Sequence, residues 1–290
     1  MSNVLNAEIG NFPITFQDSG EQLNTMKSQI MDFHNKIKDL DLNKISESNL
    51  AELYDLFSEL YELVHIDVSE DVHHAVFRDP VIRSLLPAIH HSYSSFFNVH
   101  EAHLAREILN YDDPWGMLES FPLYQRYVNL IKVQVQNSPD IETLAFIGCG
   151  PLPVTLLLFS KLYGISCIGI DKDPEAVLLA KSCVKHFDLE KEISIIPGNE
   201  TELSNIKWDS VLIAGLAEPK IRIFQNLNNI TKKKKLELKK PISICYRNYT
   251  GMRQLLYRPV IPEYISGFRK VKEIDPSGGV HNTLVFLECD

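Results

Sequence analysis

A short apolar run at residues 143–147 ends in the sequence Gly-Cys-Gly and leads directly into an apolar segment with helical spacing. Glycines in such a turn permit a sharp change of chain direction and let a ligand approach the backbone closely. The next β-rich run, residues 164–170, is followed by Asp171, which lies 23 residues after Gly148. Because ligands of open α/β sheets bind at the carboxyl ends of the strands, this pattern predicts a nucleotide-binding sheet domain.

The rest of the second half alternates between short apolar runs and helical patterns. Strands are predicted at residues 193–196, 210–215, 242–246 and 283–287, and helices at residues 153–163, 174–186 and near 221–227. Such alternation predicts a parallel, doubly wound sheet. Residues 231–240 contain six lysines and are interpreted as a solvated loop, with a basic docking surface as the alternative.

The first half has helical spacing throughout. Apolar residues recur at positions 23, 26, 30, 33 and 37 and again at 50, 53, 56, 60 and 63. Further helices are predicted at residues 81–91 and 95–110, and one from Pro114 that bends near Pro122 and ends at residue 134. We therefore predict a mobile arm (1–20), an all-helical domain (21–138) and a Rossmann-like domain (139–290) in an α/β fold.

Composition excludes several classes of protein. The charged and hydrophobic fractions, 23% and 44%, are those of an ordinary globular protein, and the net charge of −9 argues against a nucleic-acid partner. No apolar run approaches the ~18–20 residues of a membrane helix, and residues 1–19 lack the features of a secretory signal. The five cysteines form no CxxC pair, so we expect buried thiols in a cytoplasmic protein without a membrane partner.

The glycine turn indicates which nucleotide it suits. Pro153 stands where a dinucleotide fingerprint has its third glycine, so the turn favours a nucleoside without a pyrophosphate, and S-adenosylmethionine (SAM) is the candidate. A turn that binds nothing is the alternative. The residues predicted to contact SAM are Gly148, Gly150 and Pro151 in the turn, Asp171 at the ribose, and Asn199 or Glu200 at the adenine.

Seven short motifs occur in the order and spacing of one known enzyme family, from about residue 50 to residue 288. They are DPW at 113–115, FPLYQRY at 121–127, IGCGPLPVT at 147–155, AGLAEPK at 214–220, YRNYTGMR at 246–253, SGF at 266–268 and NT at 282–283. Each is weak alone, but the set is specific and resembles the nicotianamine synthase family, most of all its short archaeal and bacterial members. The resemblance implies a helical domain on a SAM-methyltransferase-type domain, in agreement with the two predicted parts.

The resemblance also implies an activity. The family uses SAM as a substrate, transfers its 3-amino-3-carboxypropyl (aminobutanoate) group to an amine, and releases 5′-methylthioadenosine while building the metallophore nicotianamine. Relatives that make opine-type metallophores perform one transfer onto histidine, so a histidine 2-aminobutanoyltransferase is an alternative here. A SAM-dependent methyltransferase and a non-enzymatic binder are further alternatives. The acceptor and the number of transfers stay open, and the family makes a homodimer an expectation to test.

The reaction implied by the resemblance needs a base. An amine attacks the carbon beside the sulfonium and a neutral thioether leaves, so the amine must lose a proton. The family's glutamate upstream of DPW matches Glu101, a carboxylate expected in a partly dry cleft. Tyr127, with Tyr124, is expected to bind the substrate amine or to orient this base.

Both substrates also carry α-carboxylates, which an arginine fork binds bidentately. Arg247 and Arg253 bracket Tyr249 after a predicted strand, and one of the two arginines is expected to bind a carboxylate. His100 and His103 are three residues apart rather than four, and no third ligand is evident. No metal site is therefore predicted.

Overall fold

The computed structural model describes residues 18–41, 45–121, 123–138, 141–238, 242–276 and 282–289. The chain forms two compact units. The first comprises the described residues up to His100 together with Tyr249–Arg258, and the second comprises Glu101–Asn248 and the described residues from Pro259 onward. The predicted boundary at residue 139 lies outside the described residues, and the compact units divide the chain elsewhere, between His100 and Glu101 inside a helix.

The first unit is helical. Its elements are α1 (Ser19–Ile37), α2 (Leu50–Leu63), α3 (Glu70–Arg78) and most of α4 (Pro80–Leu109). The side chain of Asp18 caps α1 by accepting a hydrogen bond from the backbone N–H of Glu21. Phe57 of α2 and Phe96 of α4 stack in the core with ring centroids 4.3 Å apart. Most of the predicted arm, residues 1–17, lies outside the described residues.

Helix α4 runs without interruption through the stretch where two helices were predicted, 81–91 and 95–110. Pro87 lies inside it. The two-helix prediction is therefore wrong. The reverse holds for the next segment, because α5 (Pro114–Glu119) and α6 (Tyr124–Gln136) replace the single predicted helix. The predicted bend at Pro122 lies outside the described residues.

The second unit is built on a seven-stranded sheet. Its strands are β1 (Thr143–Ile147), β2 (Ser166–Asp171), β3 (Ile193–Pro197), β4 (Ser210–Ile213), β5 (Ser243–Asn248), β6 (Phe268–Ile274) and β7 (Thr283–Cys289), in the order β3-β2-β1-β4-β5-β7-β6. The first five in this order are parallel, whereas β7 is antiparallel to β5 and β6 is antiparallel to β7. The doubly wound fold is confirmed, and the prediction of an all-parallel sheet is corrected.

Both faces of the sheet are covered. Leu144 and Phe146 of β1 belong to one apolar cluster and Ala145 and Ile147 to the other, as expected when successive side chains point to opposite faces. The helices that connect the parallel strands are α7 (Val154–Tyr163), α8 (Pro174–His186) and α9 (Lys220–Leu238). All five cysteines lie among the described residues, are buried and form no disulfide bond, which confirms the prediction of buried thiols.

Helix α9 corrects the interpretation of residues 231–240 as a loop, because it continues through Leu238. The contacts of Lys234 show how this lysine-rich stretch packs as a helix. Its ammonium donates to the carbonyl of Ile206 at 2.7 Å and lies 5.4 Å from the centroid of the Trp208 ring. A lysine can bury its stem while its charge finds a partner, so a lysine-rich stretch still forms a packed helix. None of the described helices has the length and apolar character needed to span a membrane.

Candidate functional site

The turn after β1 lies where the order of the strands reverses, between β1 and β4. Gly148 and Gly150 adopt positive φ angles of 77° and 69°, which glycine accepts without strain. A Cβ atom on Gly148 would lie 2.9 Å from Cβ of Ala217, so the turn and the loop after β4 are in direct contact. Ligands of doubly wound sheets bind at this reversal, and the geometry therefore marks the turn as the candidate site.

Two carboxylates converge on Gly150. Oδ2 of Asp171, at the end of β2, accepts a hydrogen bond of 2.9 Å from the backbone N–H of Gly150, and Oδ1 accepts one of 3.0 Å from Asp173. Oε2 of Glu101, on α4, lies 2.7 Å from the position that a Cβ atom of residue 150 would take. Only glycine leaves room for this approach.

The carboxyl group of Glu101 is held in a dry and negatively charged environment. Its pKa is raised from 4.5 to about 8. Burial is the largest cause, the charge of Asp171 adds to it, and the Arg247 guanidinium opposes both. Burial, with the same two carboxylates, also raises the pKa of the Cys149 thiol well above its usual value. Cys149 is thus a neutral thiol, and Glu101 is a carboxyl group whose protonation changes near neutral pH.

Arg247 of β5 is a buried cation close to Glu101. Its Nη2 donates to Oγ1 of Thr155 at 3.1 Å, and its guanidinium carbon lies 5.7 Å from the centroid of the Phe146 ring. Among the described residues no carboxylate forms an ion pair with Arg247, and its buried Nε has no hydrogen-bond partner. Burial of a charge without a paired anion is costly, so the site is suited to receive a carboxylate from a ligand.

Tyr124 and Tyr127 lie in the first turn of α6. Both rings pack against the apolar cluster that includes Phe146 and the helices α7 and α8. Burial raises the pKa of the Tyr124 hydroxyl, with a further contribution from Glu119. The roles of the two tyrosines in the site stay predictions.

The predicted adenine contacts have other partners. Asn199 accepts hydrogen bonds from the N–H and the hydroxyl of Thr201, at 2.9 and 2.8 Å, and so caps the short helix Glu200–Ser204. Glu200 is buried, with hydrogen bonds of 2.9 Å from Arg222 and 2.7 Å from Asn226. Because the carboxylate of Glu200 is used inside the protein, it has less capacity left for a ligand, and the adenine contacts of Asn199 and Glu200 stay predictions. Neither partner, on α9, is recognisable from the sequence around Glu200.

Two more predicted residues belong to the helical unit. Tyr249 stacks on Tyr257 with ring centroids 3.7 Å apart, and Arg253 lies in the short helix Gly251–Leu255. In the same segment, Gln254 donates through its side chain to His73 and accepts through its carbonyl from His90. Within the sheet unit, Asp171 and Arg247 each lie close enough to Glu101 to interact with its charge. The substrate contacts of Tyr249 and Arg253 stay predictions.

Two functional candidates were missed from the sequence. Thr155 holds Arg247, and Lys220 holds the loop after β4. The ammonium of Lys220 is buried and donates to the carbonyls of Gly215 and Ala217, at 2.8 and 2.5 Å, while Glu218 lies 3.6 Å away. The AGLAEPK motif contained this lysine, but no local signal distinguishes a buried lysine from a surface one.

Comparison with known proteins agrees with the site. A family model described as "Nicotianamine synthase protein" matches residues 19–289. Nicotianamine synthase 2 of Arabidopsis thaliana is 27% identical over 285 residues, covering 90% of this chain and 83% of its own. L-histidine 2-aminobutanoyltransferase of Yersinia pestis is 30% identical over 99 residues, covering 34% and 37%.

A solved structure is similar over nearly the whole chain. It is a glutamate-to-glutamine mutant of MtNAS in complex with S-adenosylmethionine, with a TM-score of 0.77 and 28% identity, covering 91% of this chain and 97% of that one. MtNAS in complex with MTA and tNA matches equally well, with a TM-score of 0.77 and 28% identity, covering 95% and 100%. The chain belongs to the nicotianamine synthase family.

Proposed function

We propose that this protein is a SAM-dependent transferase that moves the 3-amino-3-carboxypropyl group of SAM to an amine and releases 5′-methylthioadenosine. The observation that carries the proposal is Glu101, a carboxyl group with a pKa near 8 that faces the glycine turn beside Asp171 and Arg247. A methyltransferase sheet alone would explain the turn and Asp171. A carboxyl group whose pKa lies close to the working pH is what a general base for an amine requires.

The residues would act as follows. Asp171, at the end of β2, uses its remaining lone pairs on the ribose hydroxyls, and Gly148 and Gly150 let the nucleoside approach the backbone. The amine nitrogen attacks the methylene carbon bonded to the sulfonium, the carbon–sulfur bond breaks, and its electron pair stays on sulfur as neutral methylthioadenosine. Glu101 takes the ammonium proton. The leaving group needs no acid, so positioning contributes much of the rate.

Arg247 is proposed to bind an α-carboxylate of one substrate. Its buried guanidinium, supported by Thr155, has donors directed at no anion among the described residues. Tyr127 and Tyr124 are proposed to orient the amine. Metal-binding groupings of histidine, cysteine, aspartate and glutamate are absent from the described residues, and the proposed chemistry uses none.

The acceptor is either an aminobutanoate unit derived from SAM, which leads to a nicotianamine-type metal chelator, or histidine. The first is supported by the relatives that match along most of the chain. The second is favoured by the match to the Yersinia pestis transferase, which covers about a third of this chain. We propose the first as the main function and retain the second because both use the same chemistry.

Incubation of the purified protein with SAM alone, and then with L- or D-histidine, tests the proposal by mass spectrometry of all products. We expect methylthioadenosine and a product with two or more aminobutanoate units from SAM alone. Methylthioadenosine that forms only with histidine would move the protein to the opine class. S-adenosylhomocysteine would identify a methyltransferase, and binding of SAM without turnover would leave a binding protein.

Two variants test the residues. Glu101→Gln should retain SAM binding and lose at least ~10²-fold in turnover, the usual scale for removal of a general base. Asp171→Ala should weaken SAM binding, and an unchanged affinity would refute the ribose contact. Glu107→Gln, another carboxylate of α4, is the matched control and should behave as the wild type.

A further inference from the structure

Four ionisable groups from four parts of the sheet unit interact around Gly150. They are Glu101 from α4, Cys149 from the turn after β1, Asp171 from β2 and Arg247 from β5. The thiol is neutral, so the cluster contains two carboxyl groups and one guanidinium. With both carboxylates ionised it would hold one net negative charge in a largely dehydrated place, which is costly.

The hydrogen bonds show which carboxyl group would carry a proton. Backbone N–H groups donate to both oxygens of Asp171. No described residue donates to Glu101, whose Oε2 instead faces Gly150 at close range. Hydrogen bonds from amides favour the ionised form of an acid, so the proton belongs on Glu101.

We propose that Glu101 and Asp171 share one proton, carried by Glu101, in the ligand-free protein, and that the positive charge of the bound donor displaces it to water. Asp171 thereby acts on Glu101 as a positioning residue in addition to its proposed ribose contact. Binding of the donor would therefore convert Glu101 into the carboxylate that the proposed reaction uses as its base. This inference rests on the proposed function, which places the sulfonium of SAM beside Glu101.

Charge balance supports this order of events. One guanidinium and two carboxylates become neutral as a set when a sulfonium is added. With a pKa of about 8, Glu101 would hold about 0.9 proton at pH 7.0 in the absence of ligand. A unit positive charge within about 4–6 Å lowers the pKa of a carboxyl group by about 1–3 units, which would release about 0.4 to 0.9 proton at pH 7.0.

Isothermal titration calorimetry at pH 7.0 in two buffers of different ionisation enthalpy counts the protons released on binding. The two probes are sinefungin, which has an ammonium in place of the sulfonium, and S-adenosylhomocysteine, which is uncharged at that place; neither carries the transferable sulfonium. We expect the wild type to release about 0.4 to 0.9 proton more with sinefungin than with S-adenosylhomocysteine, and the upper figure is the amount that Glu101 holds.

Three variants separate the sources of the proton. Glu101→Gln should bind both probes with no difference in proton release, and Glu107→Gln should retain the wild-type difference. Asp171→Asn keeps an oxygen for the N–H of Gly150 but removes the charge. Glu101 is then partly ionised before binding, and the difference should shrink.

The outcomes are distinct. Equal proton release with the two probes in the wild type would overturn the inference while leaving a SAM-type site in place. A difference that persists in Glu101→Gln would show that the proton comes from elsewhere, and an unchanged difference in Asp171→Asn would remove Asp171 from the account. If neither probe binds the wild type, the proposed function fails and the inference fails with it.

Discussion

Replacement of Glu101 by glutamine should make the fold more stable, and increasingly so as the pH rises. The folded-state pKa of Glu101, about 8, lies above its ordinary value of 4.5. Between these two values the folded protein binds more protons at this residue than the unfolded chain does. The free energy of unfolding therefore falls with rising pH, and the loss is complete only above pH 8. Glutamine keeps the shape and has no such proton.

The size of the effect follows from linkage. Taken in full, the shift would cost the wild type about 2.5 kcal/mol between pH 5 and pH 7. Part of the Glu101 residue stays accessible to solvent, so water screens some of this cost. We therefore expect the wild type to lose about 1–2 kcal/mol of unfolding free energy between pH 5 and pH 7. The difference between variant and wild type should widen by that amount, since all other titrating groups are common to both proteins.

Equilibrium urea unfolding of the wild type, Glu101→Gln and Glu107→Gln at pH 5 and pH 7 measures this. The Glu107 variant, altered six residues later on the same helix, should stay parallel to the wild type. If the stability difference between Glu101→Gln and the wild type is the same at both pH values, Glu101 is an ordinary carboxylate. The reasoning that makes it the base would then be refuted.

Three further substitutions address the rest of the site. Gly150→Ala should abolish activity, because its Cβ would lie 2.7 Å from Oε2 of Glu101. The control Gly164→Ala has a similar φ of 65° and open space around its Cβ, so it should only lower the free energy of unfolding by the ~1–2 kcal/mol of a left-handed residue. Equal activities of the two variants would contradict the close approach of Glu101 to Gly150. Arg247→Lys should raise the KM for a carboxylate-bearing substrate about 10- to 100-fold, since the fork is lost while the charge remains, and an unchanged KM would remove Arg247 from the substrate site. Lys220→Met should lower the free energy of unfolding by about 2 kcal/mol or more, because two loop carbonyls and Glu218 lose their partner, while the exposed Lys232→Met should stay within about 0.5 kcal/mol.

Elements with strong local signals were predicted well. The strand Thr143–Ile147 and the helix Pro174–His186 have the predicted bounds, because an apolar run ending at Gly148 and an Asp-Pro start at Asp173 act over a few residues. Strand β6 was missed because only Phe268 of its residues is buried, so it lacks the alternation that predicts a strand.

Only the parts of the site that have a local sequence signal, or that the family resemblance supplied, could be predicted. The turn and Asp171 follow from local pattern, and Glu101 followed from the family resemblance rather than from its surroundings. The partners of Arg247 and Glu200 could not be predicted, since Thr155 lies 92 residues from the first and Arg222 lies 22 residues from the second. Such contacts depend on tertiary packing, which the local spacing of residues does not predict.

The most direct test of the central claim follows the methyl group of the donor. The protein is incubated with SAM labelled with carbon-13 in the methyl group, and the products are separated by chromatography and their masses measured by mass spectrometry. Transfer of the aminobutanoate group predicts that all of the label appears in methylthioadenosine and none in the amine product. Label in the amine product, together with unlabelled S-adenosylhomocysteine, would contradict the account and identify methyl transfer instead.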